Sequence, residues 1–142
     1  MIPPVLLDVS AWSRLKHPAL SAERKEELVE AAESLRFRAC LPFLLEAGFT
    51  ARDALDHRRM MASLRALPRV EMDPGTEARA VEAQRQLASV GHHRIPPADV
   101  LVAALADRHH LGVLHYDHHY ERLADGTDLA FDSVWLAEAG SL

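Results

Sequence analysis

The chain has 142 residues, with 16 Lys plus Arg against 21 Asp plus Glu, a formal net charge of −5 with histidine neutral. One domain spanning residues 1–142 is expected at that length, and an apolar fraction of 49% excludes a disordered chain. No stretch free of Asp, Glu, Lys and Arg exceeds eight residues, so no transmembrane helix is predicted, and with a single cysteine, Cys40, neither is an intrachain disulfide or a Cys-based zinc site.

Val5-Leu6-Leu7 is an apolar run stopping at Asp8, which predicts a buried strand with no basic region before it, and so no signal peptide. A cytoplasmic setting is the expectation. Ser10 is a candidate N-cap for a short helix through Trp12 and Leu15. Ser21 opens a longer helix with Leu28, Val29, Ala32 and Leu35 at helical spacing, and Phe37 to Cys40 reads as a second strand. Pro42 opens a helix carrying Phe43, Leu44, Ala47 and Phe49, with Thr50 a candidate cap for its continuation through Leu67. Arg69 to Met72 resembles a third strand. Asp73-Pro74 then starts a helix that runs to about Val90 and stops at Gly91. Pro96-Pro97-Ala98-Asp99 starts another, apolar from Val100 to Leu111, with Gly112 expected at its C′ position. Gly112 to His115 reads as a fourth strand, Tyr120 to Leu123 as a short helix, and Leu129 to Phe131 as a fifth strand. Short strands alternating with longer helices predict βαβ crossovers and a mostly parallel sheet, whose ligands bind outside the carboxyl ends of the strands.

Carboxylates gather where that rule directs attention. Asp8 follows the first strand and Asp117 lies just past the fourth, while Asp99 and Glu46 sit near helix starts. Glu46 is flanked by Leu44, Leu45, Ala47 and Phe49, an apolar setting in which an ionised group needs a partner or a metal. Either Asp8 or Asp99 alone is equally well explained as a favourable charge near a helix N-terminus. Jointly the four point to divalent-metal binding, because hard ions such as Mg²⁺ and Mn²⁺ prefer carboxylate oxygens and water. Charge is also unevenly spread. Residues 34–69 hold seven arginines against three acids, a local +4, and residues 99–142 hold two against eight, a local −6.

Leu6-Leu-Asp8-Val-Ser10, Leu45-Glu46-Ala47, the run from Pro97 through Asp99 to Ala106, and the run from Leu114 through Asp117 to Leu123 resemble a PIN-domain ribonuclease. Within that family the chain resembles a VapC-type toxin of a type II toxin–antitoxin pair, over nearly its whole length and in the family's order. The resemblance implies a three-layer α/β/α sandwich with a short, mostly parallel central sheet. It also implies a Mg²⁺- or Mn²⁺-dependent endoribonuclease, a small VapB-like antitoxin partner, and a homodimer. The family's catalytic and metal-binding quartet carries over onto Asp8, Glu46, Asp99 and Asp117, and its small hydroxyl residue onto Ser10, a candidate substrate contact. His115 departs from the pattern, standing where the family often has Thr or Ser, and its imidazole is a candidate donor to a phosphate. The alternative reading is a non-catalytic PIN-like domain that binds RNA or a protein.

Five histidines lie between His109 and His119. No His-x-Glu or Cys pattern accompanies them, so solvated or substrate-contacting roles are expected rather than a zinc site. Cys40, ending an apolar strand with no base nearby in sequence, reads as a core thiol. Between residues 52 and 69, Met60, Met61, Leu64 and Leu67 share one helical face while Arg52 and Arg59 lie together on another. That second face is either solvated or a track for an RNA backbone, with Arg52 and Arg59 as candidate substrate contacts. Trp12, Leu15, Leu20 and Phe43 are candidates for a partly exposed groove receiving an amphipathic antitoxin segment.

Overall fold

A computed structural model describes residues 1–92 and 94–142. Its centre is four short strands, β1 (Val5–Leu7), β2 (Phe37–Arg38), β3 (Gly112–His115) and β4 (Ser133–Trp135), in the order β2-β1-β3-β4. Every pairing is parallel. β1 and β3 are buried along their whole length, as their uninterrupted apolar runs require of central parallel strands. Parallel pairing demands long crossovers, and these are supplied by the helices. They are α1 (Val9–Trp12), α2 (Ala22–Glu33), α3 (Leu41–Phe49), α4 (Ala54–Leu64), α5 (Pro74–Ser89), α6 (Pro97–His109) and α7 (His119–Gly126). The expected α/β/α sandwich with a short parallel sheet is the architecture observed. The apolar helix α6 packs on β1 and β3, and α5 packs on α6.

Several helix starts follow side-chain capping. Ser21 caps α2, Asp53 caps α4 and Asp73 caps α5, each accepting from a backbone N–H in the first turn. Thr50, expected to open the second half of a long helix, instead closes α3, its hydroxyl donating to the Ala47 carbonyl at 2.7 Å. Ser10 lies inside α1, whose N-cap is Asp8. The turn after α6 is made by His110 at φ 56, not by Gly112, which begins β3. A Cβ at position 112 would meet the Asp132 carbonyl oxygen at 3.0 Å, so glycine is needed there for close approach of the neighbouring chain.

The outer strands differ from expectation. Arg69 to Met72 contributes one bridge, Ala39 to Arg69, and no strand. After that rung Val70 to Met72 lead to the Asp73 cap of α5 without a further one. The last strand is Ser133–Trp135, starting two residues past the apolar triplet Leu129 to Phe131. Leu129 is buried as a loop side chain, and Asp128 is held by Arg79 and Gln86.

Candidate metal centre

The carboxyl edge of the sheet collects the acids. Asp8 ends β1, Asp117 lies two residues past β3, Asp99 is in the first turn of α6, and Glu46 is on α3. Asp8 and Asp99 are buried, whereas Glu46 and Asp117 are half-buried. Donor oxygens of Asp8, Glu46 and Asp99 lie within 4.8 Å of one another, and those of Asp99 and Asp117 come equally close to a ring nitrogen of His119. Asp99 belongs to both groups. All four sequence candidates therefore meet at one place, joined by a histidine that the sequence did not single out.

Asp8 is held from two sides. One oxygen accepts from the Tyr120 hydroxyl at 2.6 Å, and the other accepts from the Ser10 backbone N–H at 3.0 Å and from the Ser10 hydroxyl. The same Ser10 oxygen accepts from the Tyr116 N–H at 2.9 Å, tying α1 to the turn after β3. Ser10 is thus a clip between Asp8 and that turn. Burial, and then the charge of Asp8, push the Tyr120 phenol well above its ordinary range, so it remains a proton donor to the carboxylate.

His119 Nδ1 lies 2.8 Å from Asp99 Oδ2 and 3.3 Å from Asp117 Oδ1, and its backbone N–H donates to Asp117 at 3.0 Å. Among the described residues, no Lys or Arg lies within ion-pairing distance of the four acids; His119 is their one basic neighbour. Burial and then repulsion from Asp8 push Asp99 up to about 7, against the opposing pull of His119. Glu46 is raised by burial, then by Asp8 and Asp117. Crowded carboxylates that resist ionisation, with hard oxygen donors and one imidazole, suit a divalent cation.

The histidines scatter. His109 meets the Glu71 carbonyl, His110 forms a turn, His118 pairs with Glu121, and only His119 points at the acids. His115 is fully buried behind the site. The Asp117 N–H donates to its Nδ1 at 3.2 Å, so its Nε2 proton is given to Ser133 Oγ at 2.7 Å. Burial lowers its pKa to about 4, keeping the ring neutral. The anticipated donation from His115 to a phosphate is not available, because both ring nitrogens are spent internally.

Other candidates lie apart from the acids. Arg52 and Arg59 are exposed at and on α4, and Arg52 pairs with Asp56 at 3.4 Å. α4 packs on α3 through His57 and Met61, both close to Gly48. Leu20 and Phe43 are core residues, leaving Trp12 and Leu15 half-buried, with Trp12 edge-on to Phe43 at 6.0 Å. The Cys40 thiol is buried and pushed up to about 11 by desolvation, as befits a core residue. The roles of His119 and Tyr120 escaped sequence reading because their partners are on other elements. Their signal is position on the first turn of α7, directly after Asp117.

A parallel sheet of order β2-β1-β3-β4 with an acidic centre at its carboxyl edge defines a class, and the chain belongs to the PIN domain family, whose profile matches residues 5–126. Its relatives make the class narrower. It is 33% identical to the ribonuclease VapC51 of Mycobacterium tuberculosis over 96% of each chain. It is 38% identical to the ribonuclease VapC21 of the same species, over 84% of this chain and 85% of that one. Among solved structures, DNA-bound VapBC from Salmonella typhimurium superposes with a TM-score of 0.70 at 17% identity, covering 96% of this chain and 100% of that one. VapBC2 from Rickettsia felis, bound to a promoter DNA fragment, gives 0.72 at 15% identity, covering 95% and 99%. At those identities the structural likeness speaks to fold.

Proposed function

We propose that this chain is the toxin of a VapC-type toxin–antitoxin pair, an endoribonuclease that hydrolyses RNA phosphodiester bonds at a divalent-metal centre. The observation that carries this reading is the convergence of Asp8, Glu46, Asp99 and Asp117 with no Lys or Arg counter-ion among the described residues. Relatives named as ribonucleases across nearly the whole chain support it. The ion is Mg²⁺ or Mn²⁺, held by the four carboxylates, with His119 at the edge of the set. When bound, such an ion supplies Lewis-acid stabilisation of charge on the phosphate and acidifies a water at neutral pH.

The chain's own residues prepare the site. Tyr120 and Ser10 hold Asp8 in place, with a donor oxygen within 4.8 Å of those of Glu46 and Asp99. His119 bridges Asp99 and Asp117 through Nδ1, holding the two carboxylates in place relative to each other. The polyanionic substrate must be drawn towards an acidic centre, and a dense supply of cations lies on and beside α4. Arg52 and Arg59 serve there as contacts to RNA phosphates. The partner is a small VapB-like antitoxin, whose amphipathic segment would lie on the half-buried Trp12 and Leu15, and the chain forms a homodimer. The setting is the cytoplasm; among the described residues no helix is long and apolar enough to cross a membrane.

Asp8→Asn and Asp99→Asn test the reading, since each keeps the side chain's shape and removes its charge. Both variants should fold, and neither should cut single-stranded RNA in Mg²⁺. Cleavage at the parent rate by both would refute the assignment of these acids as the metal centre, and a parent chain that cuts no RNA in Mg²⁺ would leave the non-catalytic, binding-domain reading in its place.

A further inference from the structure

On the far side of Asp117 from the other acids lies a group of aromatic rings that the metal centre does not use. β4 pairs with β3 so that Trp135 stands opposite His115, which puts the indole at the carboxyl edge of the sheet, one strand beyond Asp117. His118, adjacent to Asp117 in the chain, lies edge-on to Trp135 with ring centroids 5.1 Å apart. Glu121 clamps the pair, accepting from Trp135 Nε1 at 2.8 Å through one oxygen and meeting His118 Nδ1 at 3.1 Å through the other. The backbone beneath is fixed as well, because the Arg24 guanidinium donates to the Trp135 carbonyl at 2.7 Å and to the Leu136 carbonyl at 3.0 Å.

Trp135 also packs against His115 at 4.9 Å and Tyr116 at 5.7 Å, which fixes the indole further. The His118 side chain is 66% exposed and Trp135 is half-buried, with an open cavity of about 720 Å³ bounded by Leu20, Arg24, Glu121, Trp135 and Leu136. An aromatic ring held in place by hydrogen bonds at the rim of a wide cavity, beside acids that attract a metal, has the properties of a stacking surface. Unpaired bases have a π-face for such a ring whatever their identity. We infer that Trp135 and His118 form a stacking platform for one unpaired RNA base flanking the scissile phosphate, with Glu121 as the positioning residue for both rings. This inference rests on the ribonuclease reading above and adds where the substrate's base is held.

The test uses the full chain with Asp99→Asn to prevent cutting, and two probes: a mixed-sequence single-stranded 12-nucleotide RNA and an abasic oligomer of equal length and charge. With Trp12→Phe added, Trp135 is the single indole, and its fluorescence should be quenched by the RNA and not by the abasic oligomer. Trp135→Ala should weaken RNA binding about 5- to 150-fold, the equivalent of about 1–3 kcal/mol of stacking per base at 1.4 kcal/mol per tenfold, and leave abasic binding unchanged. Trp135→Phe should restore most of the loss, and Glu121→Ala should lower the ratio of RNA to abasic affinity. Equal losses on both probes, or none, would overturn the platform, as would a Trp135→Ala chain that loses only the binding of a protein partner. If the Trp12→Phe chain is poorly folded, the quench lost between the parent and Trp135→Phe chains gives the same answer. Should Asp99→Asn still cut RNA at the parent rate, the fault lies with the metal-centre assignment and not with the platform.

Discussion

Removing one charge from the acidic centre should stabilise the metal-free protein and reveal a pH dependence that is otherwise cancelled. Asp99 has a folded-state pKa of about 7 against an ordinary 3.8. Between those values the native chain holds a proton that the unfolded chain lacks, so stability falls as pH rises, by about 1.4 kcal/mol per unit. His115 runs the other way. Its pKa is lowered from 6.5 to about 4, so between those values the unfolded chain binds the extra proton and stability rises with pH by the same slope. From about pH 4 to 6.5 the two largely cancel. Asp99→Asn keeps an oxygen for His119 and deletes the first contribution. In EDTA at pH 7, urea unfolding should show that variant more stable than the parent by up to about 4 kcal/mol, and its stability should climb between pH 4 and 6.5 while the parent's stays nearly flat. A variant less stable than its parent at pH 7, or one whose stability does not rise with pH, would refute the account of Asp99 as a buried, uncompensated carboxylate.

Tyr120→Phe leaves a buried oxygen of Asp8 without its donor, so urea unfolding should show a loss of about 1.5–3 kcal/mol; an unchanged midpoint would remove the phenol from the site's support. Saturating Mg²⁺ or Mn²⁺ should raise the melting temperature of the parent, by the equivalent of about 2.7 kcal/mol at a hundred times the dissociation constant, and Asp8→Asn should abolish the rise, as calorimetry would show. Arg52→Ala with Arg59→Ala should lower the salt slope of RNA binding by about 0.7 for each phosphate no longer neutralised, whereas Arg85→Ala, whose guanidinium pairs with Glu82, should leave it unchanged.

The parts of the chain that could be read in advance are those whose burial is continuous or whose caps are local. β1, β3 and α6 are uninterrupted, mostly apolar runs bounded by a carboxylate, a glycine or a proline, and their pattern carries through to the structure. The rest depended on distant partners. β4 sits where pairing with β3 places it, past the more apolar Leu129 to Phe131, and Arg69 makes one rung, with Ala39. At the site, the four acids were visible because a parallel sheet directs strand ends to one edge. His119 was hidden among five neighbouring histidines, since what sets it apart is the direction of a side chain on the first turn of α7. Ser10 and His115 stand out for their polarity, but both are engaged in holding the acids, Ser10 on the Asp8 carboxylate and His115 on the Asp117 backbone. The clamp from Glu121 to Trp135 joins residues from different elements and leaves no local mark.

Asp8 is both a member of the acidic centre and the N-cap of α1, and that double duty divides the lesions that silence it into two kinds. Asparagine caps a helix as well as aspartate does, so an Asn at position 8 whose one oxygen stays on the Ser10 N–H keeps the turn, turns its amide N–H towards the Tyr120 oxygen, and yields a folded chain with its charge removed. Alanine or valine removes the cap and leaves the Tyr120 hydroxyl without its acceptor, so the chain loses stability along with its chemistry. Among descendants of such a gene, copies that have traded this aspartate for asparagine would persist as intact proteins able to occupy the same partners. Copies carrying an aliphatic residue there would instead be cleared by proteolysis.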